Sequence, residues 1–167
     1  NMLQLSQGSH PAQQRLIFEE LVAHQVSLLS RRAYIQQIEA PRISASRQFA
    51  KQLLSSLSFE MTNAQKRVSK EIVQDLKLNK PMLRLVQGDV GAGKTLVAGV
   101  AACHALEEGW QVALMAPTEI LAEQHYLNFK KWFEPLGLSV SWLSGKQKGK
   151  ARAAAEQAIV DGTCLLY

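Results

Sequence analysis

Cysteine is scarce in this sequence, and no long apolar run is present. The two cysteines, Cys103 and Cys164, lie far apart and have no further Cys or His at metal-ligand spacing. This pattern favours two reduced thiols over a disulfide or a zinc site. No apolar stretch has the length that a bilayer-spanning helix needs, and the polar first residues do not form a signal peptide. We therefore expect a cytoplasmic protein without membrane contact.

The composition is that of an ordinary globular protein. Apolar residues make up 47% and charged residues 20% of the 167 positions, which suits one domain with a core, alone or with an appendage. The net charge of +5 permits a polyanionic partner without requiring one. The chain starts with Asn1 rather than with methionine, so we expect a piece of a longer polypeptide.

The first 58 residues have a helical pattern. Pro11 suits the first turn of a long helix, and Pro41 interrupts the pattern before a short second helix. The apolar residues that define the two helical stripes are Phe18, Val22, Val26 and Leu29, then Phe49, Leu53 and Leu57. Residues 1–58 are therefore predicted to form an α-helical segment ahead of a separate domain.

From Phe59 onward, predicted helices alternate with predicted strands. The helices are predicted over residues 62–78, 93–108, 118–133 and 150–162. The strands are predicted over residues 82–86, 111–117 and 138–145, with the first residues of another at 163–167. This alternation predicts an α/β fold with a parallel sheet covered on both faces, and the sheet is truncated at the last strand.

A glycine-rich octet follows the first predicted strand. It reads GDVGAGKT and fits the pattern G-x-x-x-x-G-K-[ST] of a phosphate-binding loop. Its residues, all assigned to nucleotide binding, are Gly88, Asp89, Val90, Gly91, Ala92, Gly93, Lys94 and Thr95. The strand before the octet, the helix after it and the small residues of that helix favour nucleotide binding over a glycine-rich turn without a ligand.

The residue types of the octet match the needs of a triphosphate. Glycines let the backbone N–H groups surround several phosphate oxygens, and the positive end of the next helix faces the same oxygens. Lys94 adds a positive charge for the β- and γ-phosphates, and the hydroxyl of Thr95 is suited to Mg²⁺. We therefore predict a nucleoside triphosphate with Mg²⁺, and we assign the catalytic roles to Lys94 and Thr95.

A second motif, APTEILAEQH, follows the next predicted strand. Ligands of open α/β sheets bind beyond the carboxyl ends of the strands, where this motif lies. Thr118 is a good N-cap, which explains that residue but not the whole string. The string resembles the DNA-contacting motif Ia of superfamily 2 helicases. The residues assigned to DNA binding on this resemblance are Pro117, Thr118, Glu119 and Gln124.

Two further stretches flank these motifs. In FEMTNAQKR, Thr62 and Gln65 have the spacing of a capping box at a helix start. In SGKQKGKAR, four basic side chains occur within seven residues, which fits either a solvated surface or binding of a nucleic-acid backbone. These four, also assigned to DNA binding, are Lys146, Lys148, Lys150 and Arg152.

Taken together, these motifs resemble the RecG family of superfamily 2 DNA helicases. RLIFEELVAHQVSLLSRR, LRLVQGDVGAGKT, APTEILAEQH and LSGKQKGKAR match that family in order and spacing over nearly the whole chain. The resemblance implies an ATP-dependent motor of RecA-like domains that acts on branched double-stranded DNA, with ATP and Mg²⁺ as cofactors, in a protein that we expect to be a monomer. Residues 1–58 would link a wedge domain to the motor, and residues 59–167 would form the first part of the first motor domain.

The resemblance also assigns roles to Phe59 and Gln65. In many helicases of this superfamily an aromatic residue here stacks on the adenine ring while the glutamine reads the adenine edge. For Gln65 this role competes with the capping box for one side chain. The second acidic motif of the family, which holds Mg²⁺ and activates water, does not occur after Thr95. We therefore expect that these 167 residues alone neither hydrolyse ATP nor unwind DNA.

Other functions remain open at this point. GDVGAGKT with the second motif is also similar to the motor of the transcription-repair coupling factor. A small-molecule phosphotransferase also uses a phosphate-binding loop, although APTEILAEQH counts against it. A non-catalytic remnant that binds nucleotide or DNA is the third alternative.

Overall fold

The computed structural model describes residues 4, 7–8, 10–44, 46–145 and 147–162. They fall into two compact units. The first lies within Asn1–Pro41 and Asn79–Leu83, and the second lies within Arg42–Leu78 and Arg84–Tyr167. The boundaries of these units do not coincide with the predicted division at residue 58. The assignment of residues 1–58 to a linker and of residues 59–167 to a motor domain stays a prediction.

Helices supply the regular structure of the described residues. In chain order they are α1 Pro11–Ile35, α2 Gln48–Ser56, α3 Asn63–Leu76, α4 Lys94–Glu107, α5 Glu119–Phe133, a 3₁₀ turn Glu134–Leu136 and α6 Gly149–Val160. In the described part of the chain, no helix is both long and apolar enough to cross a membrane. The predicted helices are all present, with ends within about two residues of the predicted ones.

Helix α1 forms the larger part of the first unit. Pro11 is in its first turn, and the ring of His10 accepts a hydrogen bond from the N–H of Ala12 at 3.3 Å. The apolar stripe predicted from the sequence lies on this helix, but none of its residues is buried. Its aromatic member, Phe18, is 66% exposed. The sequence pattern therefore predicted the helix correctly without specifying a packing partner within the unit.

The core of the second unit is built around α4, which packs against α2 and α3. The side chains of Leu53, Cys103, Phe129 and Phe133 are almost completely inaccessible to solvent. A Cβ atom on Gly99 would lie 3.3 Å from two ring carbons of Trp132. The small residues of α4 were expected to let it lie close to a sheet. At Gly99 the missing side chain instead makes room for an aromatic ring of α5.

The carboxylate of Glu107, at the end of α4, caps the start of α2. Its Oε1 accepts a hydrogen bond from the N–H of Gln48 at 2.9 Å and another from the hydroxyl of Ser46. The N-cap residue of α2, Arg47, has φ 71° and provides no side-chain cap of its own. Partial burial alone would raise the pKa of Glu107, but hydrogen bonds from Ser46 and two backbone N–H groups outweigh burial and lower this pKa.

The predicted strands are absent from the described residues. Residues 82–86 have no assigned secondary structure, and residues 111–117 and 138–145 contain only single bridge residues at Val112 and Val140. The predicted strand start at 163–167 lies outside the described residues. A strand exists only where neighbouring backbones form a ladder of hydrogen bonds, and an apolar run specifies burial rather than that ladder. Leu85 and Met115, expected to be buried in a sheet, are 87% and 94% exposed.

Candidate nucleotide-binding site

The glycine-rich loop runs into the start of α4, as predicted. Gly91 and Gly93 have φ values of 82° and 74°, in the left-handed region that glycine adopts without strain. A Cβ atom on Gly93 would lie only 2.4 Å from the side-chain nitrogen of Gln65. The left-handed backbone therefore favours glycine at position 93, and a side chain there would displace the amide of Gln65.

The ammonium group of Lys94 is held inside the loop. Its Nζ donates hydrogen bonds to the carbonyl oxygens of Gly88 and Asp89, both at 2.7 Å. The loop is thus closed around the positive charge that was assigned to the phosphates. A phosphate oxygen would have to compete with these two carbonyl oxygens for the protons of Lys94.

The start of α4 points its N–H groups at the loop. The first bonds within α4 run from the N–H groups of Leu96 and Val97 to the carbonyl of Gly93, at 3.0 and 3.2 Å. The N–H groups of the first helical turn have no partner within the helix, and the helix dipole makes this end positive. Lys94 and Thr95 occupy the first two helical positions, which places both catalytic candidates at the anion-attracting end of α4.

Gln65 connects the loop to the start of α3. Its Oε1 accepts a hydrogen bond from the N–H of Thr62 at 2.8 Å, and its own N–H donates to the hydroxyl of Thr62 at 3.2 Å. The predicted capping box is therefore confirmed. In addition, Nε2 of Gln65 donates to the carbonyl of Ala92 at 2.9 Å. Both ends of the side-chain amide are engaged, and the predicted adenine-reading role of Gln65 stays untested.

Arg84 ties the segment before the loop to α3. Its guanidinium donates to Asp75 Oδ2 at 2.7 and 2.9 Å and to Glu71 Oε2 at 2.7 Å. Hydrogen bonds to Asp75 and then Glu71 raise the pKa of Arg84. This contact was not predicted from sequence, because Asp75 and Glu71 lie 9 and 13 positions before Arg84 and the three residues match no short motif.

Two cavities adjoin the start of α3. One, of about 340 Å³, lies between the loop and α3, and its lining includes Gln65, Gly88 and Lys94. The other, of about 430 Å³, is lined by Phe59 together with Met61 and Lys66. Phe59 is 56% exposed, so its ring is accessible for stacking. The structure thus places Phe59 and Gln65 on different cavities.

The residues of the loop fit a triphosphate with Mg²⁺. Gly91 and Gly93 have positive φ values, and Lys94 already binds oxygen atoms of the loop. Thr95, one position further along α4, is partly buried beside them. Val90 is fully exposed at the tip of the loop. As separate site predictions, these assignments to nucleotide and metal stay untested.

Thr118 is the N-cap of α5, as the sequence predicted. Its Oγ1 accepts a hydrogen bond from the N–H of Leu121 at 3.4 Å. Pro117 and Gln124 are exposed, and Glu119 is the first residue of the helix. The capped-helix interpretation is confirmed by this geometry, while the predicted contact of these residues with DNA stays a prediction.

The predicted basic segment leads into α6. Arg152 is engaged there: its Nε donates to Glu156 at 2.7 Å, and its Nη1 donates to the carbonyl of Ser144 at 3.4 Å. Lys148 and Lys150 are exposed at the start of the helix. Lys146 lies outside the described residues. Lys148 and Lys150 are therefore accessible to a polyanion, whereas Arg152 would first have to leave Glu156.

Comparison with known proteins adds an independent line of evidence. The family model of the DEAD/DEAH box helicase matches residues 62–164. The chain is 58% identical over 158 residues to the ATP-dependent DNA helicase RecG of Escherichia coli strain K12. The aligned region covers 95% of this chain and 23% of that protein. It is 56% identical over 158 residues to RecG of Haemophilus influenzae, with the same two coverages.

A solved structure of RecG bound to a three-way DNA junction is also similar. The two structures match with a TM-score of 0.81 at 35% sequence identity. The matched region covers 92% of this chain and 21% of the RecG chain. The similarity supports a RecA-like helicase fold. The chain spans about a quarter of the length of the curated relatives named above.

Proposed function

This chain belongs to the DEAD/DEAH box helicase family, with a RecA-like helicase fold, and from that premise we propose that it forms the nucleotide-binding part of an ATP-dependent DNA helicase motor acting on branched DNA. The observation that carries the proposal is the loop from Gly88 to Thr95. It has left-handed glycines, a lysine that already binds oxygen atoms, and a helix start directed at it. The resemblance to RecG supports branched DNA as the substrate.

When a nucleotide binds in this site, phosphate oxygens replace the present hydrogen-bond partners of Lys94. The ammonium of Lys94 leaves the carbonyls of Gly88 and Asp89 and binds phosphate oxygens, while the N–H groups at the start of α4 complete the cradle. Thr95 supplies a hydroxyl to Mg²⁺, which offsets the charge of the phosphates when bound. Phe59, on the neighbouring cavity, provides a ring for stacking with the base.

The three segments predicted as strands belong to a parallel sheet in the complete domain. Their exposed apolar side chains, such as Leu85 and Met115, support this proposal, since they are the residues that neighbouring strands would cover. The likeness to a solved helicase with a TM-score of 0.81 is consistent with it. In the complete domain we expect hydrogen-bonded ladders where Val112 and Val140 now form single bridges.

DNA binding is assigned to the end of the sheet where α5 begins and to the segment before α6. Pro117, Thr118 and Gln124 contact one backbone, with Thr118 presenting the positive end of α5 to a phosphate. Lys148 and Lys150 are exposed at the start of α6 and add positive charge. We infer a weaker contribution from Arg152 because of its ion pair with Glu156.

The proposal is tested on the complete polypeptide to which this chain corresponds. ATP hydrolysis is measured without DNA, with linear duplex, and with a three-way junction of the same length and base composition. We expect the junction to stimulate hydrolysis most strongly. Hydrolysis that is indifferent to all DNA would contradict a helicase and favour a phosphotransferase. The 167-residue chain measured beside it should show no DNA-stimulated hydrolysis, because transition-state charge stabilisation from a facing domain contributes roughly 10³–10⁵ in related NTPases.

A further inference from the structure

We propose that a third cavity, between α2, α3 and α4, binds a small amphiphilic anion: a single apolar ring or branched chain that carries one carboxylate or phosphate group. This basic-rimmed cavity has a volume of about 290 Å³ and is lined by Arg47, Lys51, Lys66, Lys70, Ser69 and His104 together with apolar side chains. It shares no lining residue with the cavity beside the glycine-rich loop, but it shares Leu54, Met61 and Lys66 with the cavity beside Phe59. The proposal does not depend on helicase activity.

The rim of this cavity carries positive charge and no carboxylate. Arg47 and Lys51 come from the start of α2, and Lys66 and Lys70 come from α3. Lys66 has an ion pair with Glu60 at 3.6 Å, but the Glu60 side chain is 93% exposed, so solvent screens the pair. Within the described part of the chain, Lys51 and Lys70 form no ion pair. The rim therefore favours an anion.

A buried hydroxyl without a partner lies in the same cavity. Ser69 is 8% exposed, and among the residues that the structure describes its Oγ has no hydrogen-bond partner. A buried polar atom of this kind in a folded protein requires an explanation, and a bound ligand atom supplies one. His104, which also lines this cavity, is 4% exposed, and its pKa is lowered by burial and then by the charge of Arg47. Its ring is therefore neutral near pH 7 and available as a donor or an acceptor.

The floor of the cavity is apolar, which excludes a bare inorganic ion as the best ligand. The floor residues are Ala50, Leu54, Met61, Val73 and Val100. A free phosphate ion would face these side chains with part of its hydration lost and few donors in return. A neutral apolar molecule would leave the rim charges and Ser69 unused. An apolar body with one anionic head uses both parts, and a volume of about 290 Å³ has room for such a molecule with a single ring.

The experiment uses the complete polypeptide, saturated with ADP and Mg²⁺ so that the nucleotide site is occupied. Benzoate and phenyl phosphate are titrated by calorimetry and ligand-observed NMR, and neutral benzamide and inorganic phosphate serve as matched probes. We expect a dissociation constant of about 1 mM or lower for one or both aromatic anions, and binding at least about fivefold weaker for the two matched probes. The two anions distinguish a carboxylate ligand from a phosphate ligand.

Substitutions of the lining residues test whether the anion binds in this cavity. The double variant Lys51→Ala, Lys70→Ala should bind the tighter-binding anion at least about fivefold more weakly. Ser69→Ala should bind it about threefold more weakly without a lower Tm, since in the described structure that hydroxyl has no hydrogen bond to lose. Lys131→Ala, an exposed lysine on α5, should leave binding unchanged. Equal affinity for benzamide, unchanged affinity in the double lysine variant, or displacement of the anion by ADP would each overturn the proposal. None of these outcomes bears on the helicase assignment, which is tested by DNA-stimulated hydrolysis.

Discussion

The side-chain amide of Gln65 donates a hydrogen bond at 2.9 Å to the carbonyl of Ala92, and this contact joins the capping box of α3 to the glycine-rich loop. Two residues that are 27 positions apart thus fix the loop from outside. A Cβ atom on Gly93 would lie 2.4 Å from Nε2 of Gln65 and would displace the amide from this contact. The loop conformation therefore depends on α3 as well as on its own glycines.

Replacement of Gln65 separates its two contacts. Gln65→Glu keeps an acceptor for the N–H of Thr62 but has no N–H for the carbonyl of Ala92, whereas Gln65→Ala loses both. We expect the alanine variant to lose about 1 kcal/mol of stability. The glutamate variant should unfold near the wild-type temperature and bind nucleotide about fivefold more weakly, the equivalent of one hydrogen bond.

The measurement combines thermal unfolding with titrations of ATP and GTP in the complete polypeptide. Loss of the loop contact should weaken both nucleotides to the same extent. A change in the ratio of ATP to GTP affinity would instead show that Gln65 reads the adenine edge. Wild-type affinity for both nucleotides in the glutamate variant would refute a role of the Ala92 contact in nucleotide binding.

Replacement of Lys94 tests the loop itself. Lys94→Ala removes the ammonium that now binds the carbonyls of Gly88 and Asp89 and that is assigned to the phosphates. ATP turnover with forked DNA should fall at least about 10²-fold, because charge stabilisation at a transition state has this size. DNA affinity should change little. The lost bonds are solvent-exposed, so Tm should stay close to that of Lys131→Ala, the control. Turnover near wild type would reject this loop as the catalytic one.

Replacement of Thr118 distinguishes a DNA contact from a helix cap. Thr118→Ala loses the cap on Leu121 and about 1 kcal/mol of stability, while Thr118→Ser keeps the cap. If the hydroxyl and the helix start hold a DNA phosphate, DNA-coupled hydrolysis in the alanine variant falls more than nucleotide affinity does. Fluorescence anisotropy with a labelled junction measures DNA affinity, and thermal unfolding measures stability in the same variants. A loss of stability alone would leave only the structural role.

The thiol of Cys103 should be unreactive in the folded protein. Burial raises its pKa to about 12, with a smaller contribution from the charge of Glu107. The folded state therefore keeps a proton that the unfolded state loses above about pH 8.5, and stability should fall as pH rises beyond that value. Alkylation at about pH 8 followed by mass spectrometry should leave Cys103 unmodified until guanidinium chloride is added. Rapid alkylation of the native protein would contradict this prediction.

The helices and their ends could be predicted from sequence because their signals are local. Thr62 with Gln65, and Thr118 with the apolar periodicity after it, specify helix starts through contacts within one turn. The apolar runs near Leu85 and Met115 predicted strands that the described residues do not form, because ladders depend on neighbours distant in sequence. For the glycine-rich loop, the pattern predicted glycines in conformations that a side chain would obstruct, and the structure gives Gly91 and Gly93 positive φ values.

The long-range contacts of the site could not be predicted in this way. Arg84 with Asp75, Gln65 with Ala92, and the four cations around Ser69 each combine residues from different elements. No short motif encodes such pairs, because they are set by how α2, α3 and α4 pack. What the sequence specified was the chemistry of individual residues, and what the structure added was which of them share a cavity.

Helix α4 has the nucleotide loop at one end and the cap of α2 at the other. Its 14 residues span about 20 Å, and a helix of this length moves as a rigid rod. A displacement of Lys94 along the axis is therefore passed to Glu107 and strains its bond to the N–H of Gln48, which weakens steeply with distance and angle. We therefore expect the hydrogen bond at the first turn of α2 to respond to a movement of the loop. Faster amide hydrogen exchange at Gln48 on addition of ATP, the result of a weakened bond to Glu107, would record the movement without any probe near the phosphates.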